Sequence, residues 1–254
     1  MTAPPQILAV ASGKGGVGKT WLAITLAQAL TEAGDRVVVL DGDIGLANID
    51  IQLGIAPKHD LAEWATGKTA LADIVERTPA GFDVAPGASG SIAMSAMPGA
   101  EIARLVGDFH GLAAHYDVGL IDIAAGVEPA QLRLAGAAGR CILVITSDPT
   151  SLTDGYAFVK MAQRLKRPPA FQVVVNMADT PASGERAYLS LAKAAKGFLK
   201  LDLPLLGVIR RDPAVAAAIR RQTPLLTHAP GAPAALDVIK IAKALQRGGA
   251  ARAA

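Results

Sequence analysis

Residues 13–20 read Gly13-Lys14-Gly15-Gly16-Val17-Gly18-Lys19-Thr20. They fit the phosphate-binding pattern G-x-x-x-x-G-K-[ST] and carry a second lysine, Lys14, near the start. Backbone N–H groups of so glycine-rich a turn can wrap a triphosphate, helped by the positive end of a following helix. In this reading Lys19 reaches the β- and γ-phosphates and the Thr20 hydroxyl ligates Mg²⁺. The pattern needs a strand before it and a helix after it. The apolar run 7–11 and an amphipathic stretch, 21–33, meet that need.

Two acidic segments and one amide extend the chemistry. Asp41 and Asp43 are two apart, so in extended chain they point the same way. Alone, they read as turn or cap residues. Beside a phosphate loop, paired carboxylates can organise Mg²⁺ and position an attacking water. Asp122 closes the apolar run 118–121 and fits an acidic residue that holds Mg²⁺ through water. Ala124-Ala125-Gly126 follows and lets the backbone approach a γ-phosphate closely. Asn176 ends the run Val173-Val174-Val175. Its amide offers donor and acceptor to an adenine edge, and a turn residue is the plainer alternative.

These residues need a scaffold that gathers strand ends. Strand-like runs fall at 7–12, 36–41, 82–85, 117–122, 140–146, 171–176 and 204–209. Helical patterns lie between and after them, at 21–33, 100–114, 129–137, 151–165, 184–199, 214–221 and 236–247. Several runs are continuously apolar and β-branched, as strands buried on both faces are. The alternation predicts an α/β fold with a doubly wound, mostly parallel sheet flanked by helices, its ligand beyond the carboxyl ends of the strands. One ATPase domain is expected over 1–247, with a flexible tail at 248–254.

Composition narrows the classes. The chain has 254 residues, enough for one large domain with a buried core. The single cysteine, Cys141, sits in an apolar run and reads as a buried strand thiol; it excludes a disulfide framework or an iron–sulfur site within one chain. No apolar run approaches the ~20 residues of a membrane span and no secretory signal opens the sequence, so a cytoplasmic location is expected. Net charge is +3, but residues 1–150 hold 9 Lys+Arg against 16 Asp+Glu, while 151–254 hold 16 against 6. The basic half fits DNA or an anionic membrane surface as partner, or simply solvated helix faces. Lys193, Lys196 and Lys200 recur at helical spacing with the same two readings. The stretch 236–247 is amphipathic and basic, short and without aromatics, which favours packing on the domain over lying on a membrane.

Lys14-Gly15-Gly16-Val17-Gly18-Lys19-Thr20 resembles the deviant phosphate loop of the MinD/ParA ATPases. Asp41-Gly42-Asp43-Ile44-Gly45-Leu46-Ala47-Asn48-Ile49-Asp50 and Asp122-Ile123-Ala124-Ala125-Gly126 resemble the two switch segments of that family. Ser147-Asp148-Pro149-Thr150-Ser151-Leu152-Thr153-Asp154-Gly155-Tyr156 and Leu201–Ile209 are similar to its flagellar-number branch, called FlhG, FleN or YlxH. The resemblance implies a SIMIBI-like P-loop ATPase whose ATP-bound monomers form a face-to-face homodimer read by a protein partner. It implies that Lys14 reaches the partner's phosphates, that Asp43 orients the attacking water, that Asp41 lies near the metal and that Asn176 reads adenine. Two departures stand out: Ile123 replaces a hydroxyl residue of the second switch, and Arg210 replaces a proline in the loop that flanks the adenine. A switch controlling the number or placement of a flagellum or division site is expected. A DNA-partitioning ATPase and an ATP-dependent metabolic ligase are the alternatives.

Overall fold

The continuously apolar runs become the inner strands of one eight-stranded sheet. The computed structural model describes residues 5–88 and 97–253. Its strands are β1 Gln6–Ala11, β2 Val37–Gly42, β3 Glu76–Arg77, β4 Asp83–Ala85, β5 Val118–Ile123, β6 Arg140–Ile145, β7 Ala170–Ala178 and β8 Leu205–Arg210. Their order in space is β3-β4-β2-β5-β1-β6-β7-β8. Only β3 and β4 pair antiparallel; the other neighbours run parallel. The chain steps from β5, on one side of β1, to β6 on the other. The crevice of such a fold opens where the strand order reverses, here at the carboxyl end of β1.

The α-helices among the described residues are α1 Lys19–Glu32, α2 Ile49–Leu53, α3 Leu61–Ala65, α4 Gly99–Ala113, α5 Pro129–Ala137, α6 Pro149–Ala162, α7 Pro181–Ala194, α8 Pro213–Arg220, α9 Leu225–His228 and α10 Pro233–Ala253. Strand alternation sorts them into two layers. Ala9 and Ala11 of β1 belong to the core shared with Phe109 of α4, Leu134 of α5, Phe158 of α6 and Leu191 of α7. Leu8 and Val10 face the other core, with Leu26 of α1 and Val238, Ile241 and Leu245 of α10. Both faces are covered, which is why the central strands carry no polar alternation.

The structure corrects several sequence readings. The stretch after the phosphate loop is not amphipathic: from Trp21 to Leu30 every residue of α1 is buried. α10 covers the face that an isolated amphipathic helix would turn to water. Even the polar residues there are used inside, with Thr25 Oγ1 donating to the Trp21 carbonyl and Gln28 Nε2 donating to Thr227 Oγ1. The expected single helix over 184–199 begins at Pro181, behind a capping box of Thr180 and Ser183, and ends at Ala194; a π-turn, Ala195–Leu199, follows. The regular spacing of Lys193, Lys196 and Lys200, read as a phosphate-binding stripe or a solvated face, is interrupted there, and all three are exposed. Lys196 Nζ pairs with Asp202 at 2.6 Å, and Lys200, in a left-handed conformation, donates to the Gly197 carbonyl. The short elements β3, α2, α3 and α9 had no sequence expectation. α10 continues past Arg247. Among the described residues no helix is long and apolar enough to cross a membrane.

Phe109 fixes α4 to the sheet. It is fully buried, and its ring lies where a Cβ on Gly119 of β5 would be 3.3 Å away. Phe109→Ala should lower the unfolding free energy by about 3–5 kcal/mol, read as a lower urea midpoint with unchanged slope.

Candidate nucleotide-binding site

Ser12 leaves β1 buried and its Oγ donates to the Lys14 carbonyl, starting the turn. Gly18 ends it as the N-cap of α1, with a φ of 88° that a side chain would strain. No side chain caps α1 and no acidic residue stands in its first turn. A helix start left open in this way presents unpartnered N–H groups and a positive dipole end, the arrangement that takes an anion. The front of the loop rests on α6, because Gly13 lies against the Asp154 backbone with no room for a Cβ.

The acidic residues arrive on two neighbouring strands. Asp41 and Asp122 are direct register partners across β2 and β5, and both are buried. The Thr20 hydroxyl lies close enough to the Asp122 carboxylate to favour its charged form. Burial first, and then the charge of Asp41, pushes Asp122 up to about 8. Burial likewise pushes Asp41 up to about 6, against the backbone donors that favour its charged form. Asp43 is raised by burial and lowered by Lys19. Lys19 itself is lowered by burial, with Asp122 and Asp43 acting the other way. The expected residues Lys19, Thr20, Asp43 and Asp122 therefore meet in one place.

Asp122 and Asp41 differ as ligands for a cation. Asp122 Oδ1 is buried without a hydrogen-bond partner. That unpaired acceptor beside a hydroxyl fits Mg²⁺, which keeps few protein ligands and takes the rest from phosphates and water. Asp41 does not fit a direct ligand as well. Its Oδ1 accepts the Asp43 N–H at 3.2 Å, and its Oδ2 accepts those of Asn48 and Ile49 at 3.1 Å each. Its carboxylate ties down the loop that leads into α2. Among the described residues no group of three or more His, Cys, Asp or Glu side chains could hold a metal ion unaided.

Other expected residues are placed less simply. Lys14 turns outward: its Nζ lies 2.7 Å from Asp148 Oδ2 and also donates to Thr150 Oγ1. Asp148 N-caps α6, and its hydrogen bond with Lys14 helps to hold its carboxyl down at about 2. Neither Asp148 nor Thr150 was expected at the site, although Asp148-Pro149 is a readable helix start. Asn176 is buried against the phosphate loop, its Nδ2 donating to the Val17 carbonyl at 2.8 Å. The Arg210 guanidinium turns to α10, where Nε and Nη2 each lie 2.8 Å from the Asp237 carboxylate and Nη2 also donates to the Pro233 carbonyl. Ile123 is fully buried in the core, so the second switch carries no hydroxyl there.

Residues 8–225 match the model of the CobQ/CobB/MinD/ParA nucleotide binding domain. The chain belongs to the MinD/ParA family. Among its relatives is the antiactivator FleN of Pseudomonas aeruginosa, 37% identical over 94% of this chain and 86% of that protein. The flagellum site-determining protein YlxH of Helicobacter pylori is 31% identical over 89% of this chain and 76% of its own length. The septum site-determining protein MinD of Pyrococcus horikoshii, solved with Mg-ADP, superposes with a TM-score of 0.80 at 25% identity, covering 95% of this chain and 96% of its own. The family's doubly wound P-loop fold is thus the fold of this chain.

The buried carboxylates make stability fall with pH. Asp41 and Asp122 hold protons in the folded chain at pH values where an unfolded Asp, near 3.9, has lost them. Their contribution is complete below about pH 4 and is lost as pH rises through about 6 and about 8. The melting temperature of nucleotide-free protein should therefore decline from pH 5 to pH 8, and Asp122→Asn should flatten that decline, as calorimetric scans across the range would show.

Proposed function

We propose that this chain is an ATP-dependent dimerising switch of the MinD/ParA type that controls the number or placement of a cell structure, the flagellum before the division site. The observation that carries this reading is the division of labour between two lysines of one loop. Lys19 lies inside the site with Asp43 and Asp122, whereas Lys14 is presented outward on α6. An ion pair as exposed as Lys14–Asp148 holds the lysine only weakly. A second nucleotide facing the mouth of the site can take it. Leu46 and Ile51, 73% and 55% exposed, put apolar side chains on the loop and helix beside that mouth, as an interface with a second copy needs. The role named for YlxH, determining a flagellum's site, supports the flagellar reading.

In this mechanism the loop N–H groups and Lys19 bind the triphosphate. Thr20 and Asp122 would hold Mg²⁺, which supplies positive charge to the phosphate oxygens. Asp43, half-buried beside Lys19, orients water in line with the γ-phosphoryl group; positioning of this kind accounts for much of phosphoryl-transfer catalysis. Lys14 of each protomer completes the other's site, so hydrolysis to ADP and phosphate is slow and dimer-dependent. Loss of the γ-phosphate removes the target of Lys14, and the pair opens. A protein partner, still to be identified, reads which state is present.

Two variants test the scheme. Lys14→Ala should bind ATP nearly as the parent does but lose ATP-dependent dimerisation and turnover, as light scattering coupled to size exclusion and a phosphate-release assay would show; a variant that dimerises and turns over normally would refute the crossing lysine. Asp43→Ala should keep ATP and Mg²⁺ binding while hydrolysis falls by roughly two orders of magnitude, within the range for losing a positioned catalytic group. Its ATP dimer should accumulate where the parent's is transient. Parental turnover in that variant would remove Asp43 from the mechanism.

A further inference from the structure

Asn176 does something at this site that reading a base does not require. Its side chain is 3% exposed at the end of β7 and is engaged on both sides. Nδ2 donates to the Val17 carbonyl at 2.8 Å, and Oδ1 accepts the Met177 N–H at 2.9 Å. The next residue of the phosphate loop is shaped around it. A Cβ on Gly18 would lie 2.5 Å from Asn176 Nδ2 and 3.5 Å from Met177 Cε. The amide therefore lies against the N-cap of α1, the residue from which the loop hands over to the helix.

The backbone on the other side of the amide is strained. Met177 has a φ of 55°, in the left-handed region, although it is not glycine. The register of β7 against β8 shifts between Val175 and Ala178, at the same place. Conformations of this kind persist only where their surroundings hold them. Here Asn176 Oδ1 takes the Met177 N–H, and the Ala178 carbonyl accepts the Arg211 N–H at 2.8 Å. The strained turn thus delivers one amide group, in one orientation, to one carbonyl of the phosphate loop.

On the reading of residues 13–20 as a phosphate loop, we propose that Asn176 is a positioning residue for the phosphates as well as for the base. The peptide between Val17 and Gly18 is planar and trans, so its C=O and N–H point in opposite directions. Holding the Val17 carbonyl against Asn176 aims the Gly18 N–H the other way, into the hollow of the loop. The amide still has one hydrogen and one lone pair uncommitted by these two bonds, enough for the edge of an adenine. A single side chain then links the two ends of the nucleotide: a change at the base loop is felt in the grip on the phosphates.

Inorganic tripolyphosphate with Mg²⁺ tests this, because it has the phosphates and no base. Calorimetric titration would compare ATP with tripolyphosphate on the parent, Asn176→Ala and Asn176→Asp. Both variants should lose tripolyphosphate affinity by roughly tenfold or more and ATP affinity by at least as much, the aspartate by more because it sets a carboxylate against a carbonyl. Unchanged tripolyphosphate affinity alongside weakened ATP binding would overturn the proposal and leave Asn176 a reader of the base alone. Met177→Gly relieves the left-handed strain while keeping the amide and should retain tripolyphosphate binding; an equal loss there would assign the effect to general damage at the end of β7. Hydrogen exchange separates the same alternatives without ligand. Faster exchange confined to residues 13–20 in the Asn176 variants supports the proposal, and equal loss of protection across β1 and β6 overturns it. A parent that binds neither ATP nor tripolyphosphate would refute the phosphate-loop assignment itself, a result distinct from all of these.

Discussion

Everything at the carboxyl end of this sheet is arranged around two carboxyl groups buried side by side. Asp41 and Asp122 stand opposite one another on adjoining strands, away from water, with Lys19 as a nearby cation. Ionised carboxylates in such a place are unfavourable without partners. Asp41 is satisfied by three backbone donors, and in being satisfied it shapes the loop through Asn48 and Ile49. Asp122 has a hydroxyl on one side and an unpaired oxygen on the other. The Asp122 oxygen is therefore the acceptor at this place that a cation can take. Functional sites commonly retain such strain because the remainder of the fold is stable enough to carry it.

The loops around this cluster are held from outside by single polar contacts. Asp148 holds Lys14, Asn176 holds Val17, and Asp41 holds the segment before α2. A further link joins the second switch segment to the start of the phosphate loop, where the Gly126 N–H donates to the Ser12 carbonyl at 3.1 Å. Of these, the Lys14 contact is an exposed ion pair that can be exchanged for a bond to phosphate without disturbing the sheet. The rigid part is the apolar interior, and the changeable part is a ring of polar fastenings at its edge.

Much of this was legible in the sequence, for identifiable reasons. The glycine loop, Asp41, Asp43 and Asp122 were readable because strand periodicity places them at strand ends, where the fold must open. The apolar runs were readable because burial on both faces leaves no polar interruptions. What escaped notice depended on contacts distant in sequence. The burial of α1 on all sides follows from α10, more than two hundred residues further along, and local periodicity contains no trace of it. Asp148 looked like a helix cap and is one; that it also takes Lys14 depends on β1 and β6 being neighbours. The lysine spacing at 193, 196 and 200 was sound arithmetic for a helix, but the helix gives way to a π-turn at Ala195. The short helices α2 and α3 are below the length at which periodicity can be recognised, although Asp60 does cap α3 through the N–H groups of Ala62 and Glu63. α2 owes its start to the buried carboxylate of Asp41.

The position of α10 carries one more consequence. Its apolar side chains Val238, Ile241 and Leu245 are buried in the same cluster as α1, and Arg210 fastens its first turns through Asp237 and Pro233. Lifting those three side chains out would forfeit roughly 5–9 kcal/mol of burial, a large fraction of a typical domain's stability. It would also uncover the helix whose first turn begins the phosphate cradle. Within one protomer, then, giving this helix to a lipid surface and keeping a nucleotide in place are competing outcomes. Any route by which the protein gathers at a membrane while loaded must run through some other part of its surface, or through a companion that supplies the anchor.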